Sequence, residues 1–398
     1  MHVSSLLQYL LFPGVLLLTV GLIMLLVRPA RSLGWVDHPG IRKHHSHPVP
    51  LVGGVVMCVV FSLGLLLLPA KPQDWSVLAV STTLLTLVGL YDDIHSTRPA
   101  TRFLFQSVAV LLMAVGSHVV LGNLGDLFGL GQVTLGGWAV LVTLFGVVGV
   151  INAFNMIDGL DGLAGGTGLI VTGWLLVLCL SAPVSHPEDI GALLVLAMAI
   201  SGFLIFNLRH PWRGRATVFM GDAGSTMLGF VLSWFLIHLS QGERAVMAPI
   251  TAVWILALPL LDTLTVMTRR MLAGRNPFAA DRQHLHYLLL GRNLVDGRVT
   301  AILLLFTFVV GALGVLTSRL GLPHYVGFYA FAGIFFLYYQ LTSELMRRSA
   351  RRTGPAAGQD RRRPDLVLAK PGRVKNTSFP QCFGIKAKAK EADVTPGS

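Results

Sequence analysis

Hydrophobic residues run along this chain in eleven stretches, near 5–27, 51–69, 76–90, 103–121, 138–154, 166–182, 190–206, 224–240, 246–267, 299–317 and 323–342. Short segments rich in Gly, Asn, Asp, Arg and Pro separate them. A helix crosses the hydrocarbon core with about 20 apolar residues, because only a helix or a closed barrel satisfies its own backbone in lipid. The pattern predicts an all-α polytopic membrane protein of about eleven transmembrane helices. The third run is the shortest and rests least on length. The first has no basic leader and no clear small-residue cleavage site, so a retained helix is expected rather than a signal peptide.

Composition agrees: 53% of the 398 residues are hydrophobic and 13% charged, against about 25% charged in soluble domains. Cys58, Cys179 and Cys382 have no spacing that suggests a disulfide framework or a zinc site. Charge then orients the chain. One set of alternate connections carries 15 Arg and Lys residues, from Arg28 to Arg298, and the other set only Lys71, Arg244 and Arg319. The positive-inside rule predicts an external N-terminus, basic loops in the cytoplasm and, with an odd number of spans, a cytoplasmic C-terminus. Residues 1–343 are thus expected to form the transmembrane domain. Residues 344–398 lack apolar periodicity and are expected to be a basic, disordered cytoplasmic tail. Attraction to anionic membrane lipid explains the tail's charge. Nucleic-acid binding is disfavoured, since no aromatic interleaving or folded basic face accompanies it.

The few acids concentrate in the polar gaps. Asp92 and Asp93 close the third run in GLYDDIHS; Asp158 and Asp161 follow the fifth in NAFNMIDGLDGLAGG; Asp222 opens the eighth in FMGDAGS. The predicted topology puts all five on the cytoplasmic face. Adjacent carboxylates repel unless a cation or shared proton relieves them, and a hard divalent cation takes oxygen ligands together with substrate phosphates. Asn152, Asn155, Asp158 and Asp161 recur every three residues and would share a face if the stretch stayed helical. Asn207 leads into a loop with Arg209, Arg213 and Arg215, and the glycine-flanked start of the eighth run suits an anion. Arg42 and Lys43, among His44, His45 and His47, are candidates for phosphate. His284 and His286 beside Arg282 suit a phosphate or sugar better than zinc, for which a further ligand is missing. Asp262 lies within the ninth run after Pro259, where an acid is functional by default or a helix-packing hydrogen bond.

Taken together, RKHHSHPVPLVGG, GLYDDIHS, NAFNMIDGLDGLAGG, FMGDAGS and DRQHLHYLL resemble, in order, the motifs of the polyprenyl-phosphate N-acetylhexosaminyl-1-phosphate transferases over residues 28–300. PLVGG and PFAADRQHLH are closer to the WecA branch of that family than to the MraY branch. The resemblance implies a multi-helix enzyme of the bacterial inner (cytoplasmic) membrane with its active site on the cytoplasmic face. It would use Mg²⁺ or Mn²⁺ to transfer a sugar 1-phosphate from a UDP-sugar to undecaprenyl phosphate, with release of UMP. It further implies that Asp92 and Asp93 handle the lipid phosphate, one of them as a base. Asp222 would bind the metal with Asn155 or Asp161. Asp158 and Asn207 would lie near the nucleotide, Phe219 would stack on uracil, and His284 and His286 would fill the family's histidine motif. Tyr287 stands where that motif usually has another His. The long basic tail lies outside the family pattern.

The chemistry accounts for the residue types. A lipid phosphate oxygen attacks an anionic diphosphate, so cations must neutralise the meeting charges, while the second phosphate pKa near 6 makes a base optional. GlcNAc is the first expectation for the sugar, with FucNAc or QuiNAc as alternatives. The product would initiate a surface polysaccharide such as O-antigen or a wall polymer. A homodimer is left open. The rival class is a secondary transporter, which places ionisable residues near the midplane at broken helices; Asp262 is the one residue that favours it.

Overall fold

The computed structural model describes residues 3–38, 47–210, 213–277, 283–292 and 294–352. Every one of the eleven apolar runs lies on helix: α1 (Val3–Ser32), α2 (Gly53–Leu67), α3 (Trp75–His95), α4 (Pro99–Gly116), α5 (Ala139–Ile157), α6 (Leu163–Leu180), α7 (Pro187–Asn207), α8 (Gly221–His238), the pair α9 (Pro249–Ile255) and α10 (Ala257–Leu272), then α12 (Asp296–Arg319) and α13 (His324–Arg352). The short helix α11 (Leu285–Leu290) lies between α10 and α12. An antiparallel pair, β1 (Val36–Asp37) and β2 (Val49–Pro50), sets Val36 opposite Pro50 and Asp37 opposite Val49.

Seven helices (α1, α3, α4, α5, α6, α7 and α12) are long and apolar enough to cross a membrane, α5 together with the single turn before it. The α9–α10 pair, bent by 83°, makes an eighth if it counts as one span. Length and apolarity thus support seven or eight crossings among the described residues, fewer than the eleven apolar runs. The bend has a local cause. Pro259 has no N–H to give the carbonyl four residues back, Ile255, which is where α9 ends.

Two boundaries matter for the chemistry. α3 runs on to His95, so Asp92 and Asp93 sit in its last turn rather than beyond it. α5 stops at Ile157, with Asp158 at its C-cap. The three-residue spacing from Asn152 to Asp161 therefore does not form one helical face. Asn152 instead donates to Gln106 Oε1 at 2.8 Å. At the far end α13 continues to Arg352, past the start of the expected tail. The residues to Arg351 form one compact unit, and the tail from residue 353 lies outside the described residues.

α8 is the axis of that unit. Every residue from Ala223 to Ile237 is buried, with α2, α3, α5 and α6 packed around it. Small residues let the backbones close in. A Cβ on Gly89 of α3 would lie 2.5 Å from the Cα and N of Ala223 in α8. Gly54 of α2 meets the α8 backbone at Gly224 in the same way. These crossings draw the ends of α2, α3 and α8 together where the acidic motifs lie.

Backbone atoms cannot step aside as a flexible side chain can. Gly89→Ala should therefore cost on the order of 2–3 kcal/mol. It should lower the thermal midpoint and the monodisperse yield in detergent. Gly173→Ala, with nothing within 4 Å of the added carbon, should leave both unchanged.

Candidate active site

A cleft of about 560 Å³ opens at one end of the bundle. The last turn of α3 supplies Asp92 and Asp93, the α5–α6 turn Asp158 and Asp161, and α8 Asp222. Asn155, Asn207 and Phe219 also line it. Eight of the residues singled out in the sequence are thus brought together from four helices, α3, α5, α7 and α8, and two connections. Arg209 and Tyr287, named above in the basic loop and the histidine motif, join them, as do Asp37, Thr97, Arg102 and Asp296, which were not singled out for the site.

Each carboxylate has its own set of partners. Gly221, at φ +67°, turns the chain into α8 in a conformation that favours glycine. The first N–H groups of that helix then meet Asp93: Asp222 N donates to its Oδ1 at 2.8 Å and Ala223 N to its Oδ2 at 3.3 Å. The anion at the glycine-flanked helix start is therefore a side chain of the protein. Asp92 is buried, and its Oδ1 accepts from Thr97 N and Oγ1, both at 2.5 Å. Asp161 Oδ2 accepts from Arg209 Nε at 2.7 Å and Ala216 N at 2.9 Å, which ties the α5–α6 turn to the segment leading into α8. Asn207 does related work, accepting from Gly162 N at 2.8 Å and donating to Val218 O at 2.9 Å.

One guanidinium organises the centre. Arg102 lies 3.0 Å from Asp92 Oδ2 and 3.1 Å from Asp222 Oδ2, and donates to Asn155 Oδ1 at 3.1 Å. Asn155 Nδ2 in turn donates to Asp222 Oδ1 at 2.6 Å. Oxygens from three helices thus converge on one cation. Sequence reading counted Arg102 only towards orientation. The available signal was Pro99, which restarts a helix four residues after His95 and sets Arg102 in its first turn beside the carboxylates. Arg209 likewise spans Asp161 and Asp296, both at 2.7 Å.

Asp158 is the exception. Among the described residues no hydrogen bond reaches its carboxylate. Desolvation in the cleft, then the charges of Asp222, Asp93, Asp161 and Asp37, raise it well above the usual carboxylate range. The lining holds seven aspartates against two arginines.

His284 and His286 do not reach the cleft surface. Both are buried, at 5% and 1% exposure, and Tyr287 takes the lining position. Asp262 is buried beside His284, its Oδ2 2.8 Å from the ring Nδ1. It thus has a partner within the fold, which removes the feature that favoured a transporter. Arg42, Lys43 and Arg282 lie outside the described residues.

Fold and site together define a multi-pass helical membrane protein with an acidic cleft built from helix ends. The model of glycosyl transferase family 4 matches residues 75–240, from the start of α3 past the end of α8. Similar proteins include the undecaprenyl-phosphate alpha-N-acetylglucosaminyl 1-phosphate transferases of Salmonella typhi (34% identical over 82% of this chain and 88% of that protein), Haemophilus influenzae (34%, 81% and 90%) and Escherichia coli K12 (33%, 78% and 84%). The chain belongs to glycosyl transferase family 4.

The contact between Asp93 and α8 makes a stability prediction. Asp93→Ala strips both acceptors from a helix N-terminus and should cost about 1–2 kcal/mol, read as a lower thermal midpoint in detergent. Asp93→Asn keeps one oxygen acceptor and should melt close to the unmodified protein.

Proposed function

We propose that this protein transfers a sugar 1-phosphate, GlcNAc 1-phosphate first, from a UDP-sugar to undecaprenyl phosphate, with UMP as the leaving product. The reading rests on one observation above the others: five motif carboxylates share a cleft in a chain whose relatives are named for this transfer. The N-acetylated sugar follows those names, with FucNAc and QuiNAc as alternatives. The cleft volume falls within the roughly 300–1,000 Å³ of small-molecule sites. The product would start a surface polysaccharide such as O-antigen. Eleven crossings, an external N-terminus and a cleft facing the cytoplasm of the inner membrane are the topology we attach to it, because connections rich in Arg and Lys alternate with connections that have few.

The excess of acid in the cleft bears on the cofactor. Two anionic substrates would be repelled by seven aspartates, which two arginines only partly offset, unless further positive charge enters. No group of three His, Cys, Asp or Glu side chains among the described residues forms a ready metal cage. That suits Mg²⁺ or Mn²⁺, which is commonly held by one or two carboxylates with water and substrate phosphates. The oxygens of Asp222, Asn155 and Asp92 already converge on the Arg102 guanidinium, so this donor set accepts a cation and would hold the metal. A bound divalent ion would polarise the diphosphate and offset charge on the leaving phosphate.

The chain's own groups do the remaining work. Arg102 and Arg209 are the described cations within reach of phosphate oxygens. Asp92 and Asp93 stand together at the end of α3, where the lipid phosphate would meet the diphosphate. Asp158, raised and without a hydrogen-bond partner among the described residues, is a group placed to take or share a proton in the cleft. Phe219 offers a flat face for uracil. Its backbone is fixed by Phe219 N to Pro50 O at 2.9 Å and Gly53 N to Phe219 O at 3.0 Å. Attack on the β-phosphate breaks one diphosphate and forms another, so the reaction should be readily reversible.

Reversibility gives the test. Radiolabelled UMP should enter UDP-GlcNAc only when lipid-linked product and Mg²⁺ are both present; absence of exchange would reject the mechanism. Asp93→Asn and Asp222→Asn should each lower transfer by at least about a hundredfold, the lower end for positioned acid–base groups, while eluting as folded protein. Transfer retained in both would overturn the site assignment.

A further inference from the structure

A chain of contacts leads from the last helix of the bundle to the cleft wall. Tyr338 of α13 is buried and donates its hydroxyl to Asp262 Oδ1 at 3.0 Å. The same oxygen accepts the N–H of Leu285, the first residue of α11, at 2.8 Å. Asp262 Oδ2 holds His284 Nδ1 at 2.8 Å. One buried carboxylate thus receives an N–H of the free helix end, the histidine before it and a phenol from another helix. Such a carboxylate is strongly stabilised where it is, and each donor is fixed by it.

The contacts continue outward by ring packing. The His284 and His286 rings lie nearly parallel, 14° apart with centroids at 5.8 Å. The His286 ring packs on Tyr287 at 4.1 Å. His286 also abuts Gly159, where a Cβ would come within 2.7 Å of its Nε2 and 3.3 Å of the Tyr287 hydroxyl. Gly159 sits between Asp158 and the rest of the α5–α6 turn, and both it and Tyr287 line the cleft. α13 is in turn lashed to α10 by Arg269, which donates to Ser343 Oγ at 3.3 Å and lies over the Tyr339 ring at 5.5 Å.

We propose that Asp262 and Tyr338 are positioning residues for the cleft, acting through His284 and His286 to seat Tyr287 in its wall beside the α5–α6 turn. The inference rests on the reading of the cleft as the transfer site. It assigns the buried intramembrane acid a task, and it makes α13, which follows the matched family segment, part of the enzyme's working structure. A wall residue that binds ground and transition state alike changes KM rather than kcat.

The test uses the full chain in detergent or nanodiscs, with Tyr338→Phe, Asp262→Asn and Tyr287→Ala alone and combined. Tyr338→Phe and Asp262→Asn should each raise KM for UDP-GlcNAc roughly three- to tenfold, the effect of one hydrogen bond, with kcat within about twofold. Neither should raise KM further in the Tyr287→Ala background. Hydrogen exchange of residues 283–292 should quicken in both single variants while the α6–α8 amides keep their protection. An unchanged KM, a loss of kcat alone, or effects that multiply with Tyr287→Ala would each overturn the proposal. If Asp262→Asn does not fold, Tyr338→Phe, which removes a single hydroxyl, decides. An inactive unmodified enzyme would reject the transfer reading instead, and the exchange of 283–292 would still decide whether the clamp exists.

Discussion

Where α3 ends and α8 begins, a carboxylate from one helix takes the free N–H groups of the other. A helix N-terminus leaves four backbone donors without partners, and in a bundle surrounded by lipid those donors need acceptors from the protein. Asp93 is that acceptor for Asp222 and Ala223. Gly221 and Gly89 make the approach possible, one by its backbone conformation and the other by its missing side chain. Once this contact is made, Asp92 and Asp222 stand close enough to share Arg102, and Asn155 closes the group from α5. Loss of the Asp93 carboxylate therefore has a structural cost of its own, apart from any chemical role.

The carboxylates differ more than their common motif character implies. Asp93 and Asp161 hold backbone, Asp92 and Asp222 share a guanidinium, and Asp158 has no hydrogen-bond partner among the described residues. Two arginines thus offset only part of the charge of the seven aspartates that line the cleft, and neither of them pairs with Asp158. That arrangement suits a site which receives its missing positive charge together with an anionic substrate. Among the described residues no three His, Cys, Asp or Glu side chains form a finished metal cage. The oxygens are present, but a protein cation is among them.

The helices were legible in the sequence because apolar runs of this length have few alternatives in lipid. The gathering of the acidic motifs was legible as well, since alternating connections must return to the same end of a bundle. Partners were not legible. The Asn-Asp spacing read as one helical face, yet α5 ends at Ile157, where Gly159 and Gly162 allow a turn that puts Asp158 and Asp161 in different surroundings. Arg102 carried a topological signal that masked its chemical one. The histidines read as substrate contacts because their type suits phosphate, but His284 is held inside by Asp262, 22 residues away, which is itself held by Tyr338, a further 76 residues along the chain from that acid. Contacts at such separations leave no periodic trace.

Asp262 and Asp158 show how the fold divides its buried acid. Both lie among helices, and both would be costly if left bare. Three donors from two other elements satisfy Asp262, so its charge is spent on holding His284, the start of α11 and Tyr338 in place. Among the described residues no such donors meet Asp158, and desolvation and like charge raise it well above the usual carboxylate range, which favours its protonated form. An acid already satisfied within the fold has little to offer a substrate; an acid left in deficit gains from every cation that enters. The difference in partners, rather than depth in the bundle, is what separates the acid that builds the site from the acid that the site presents.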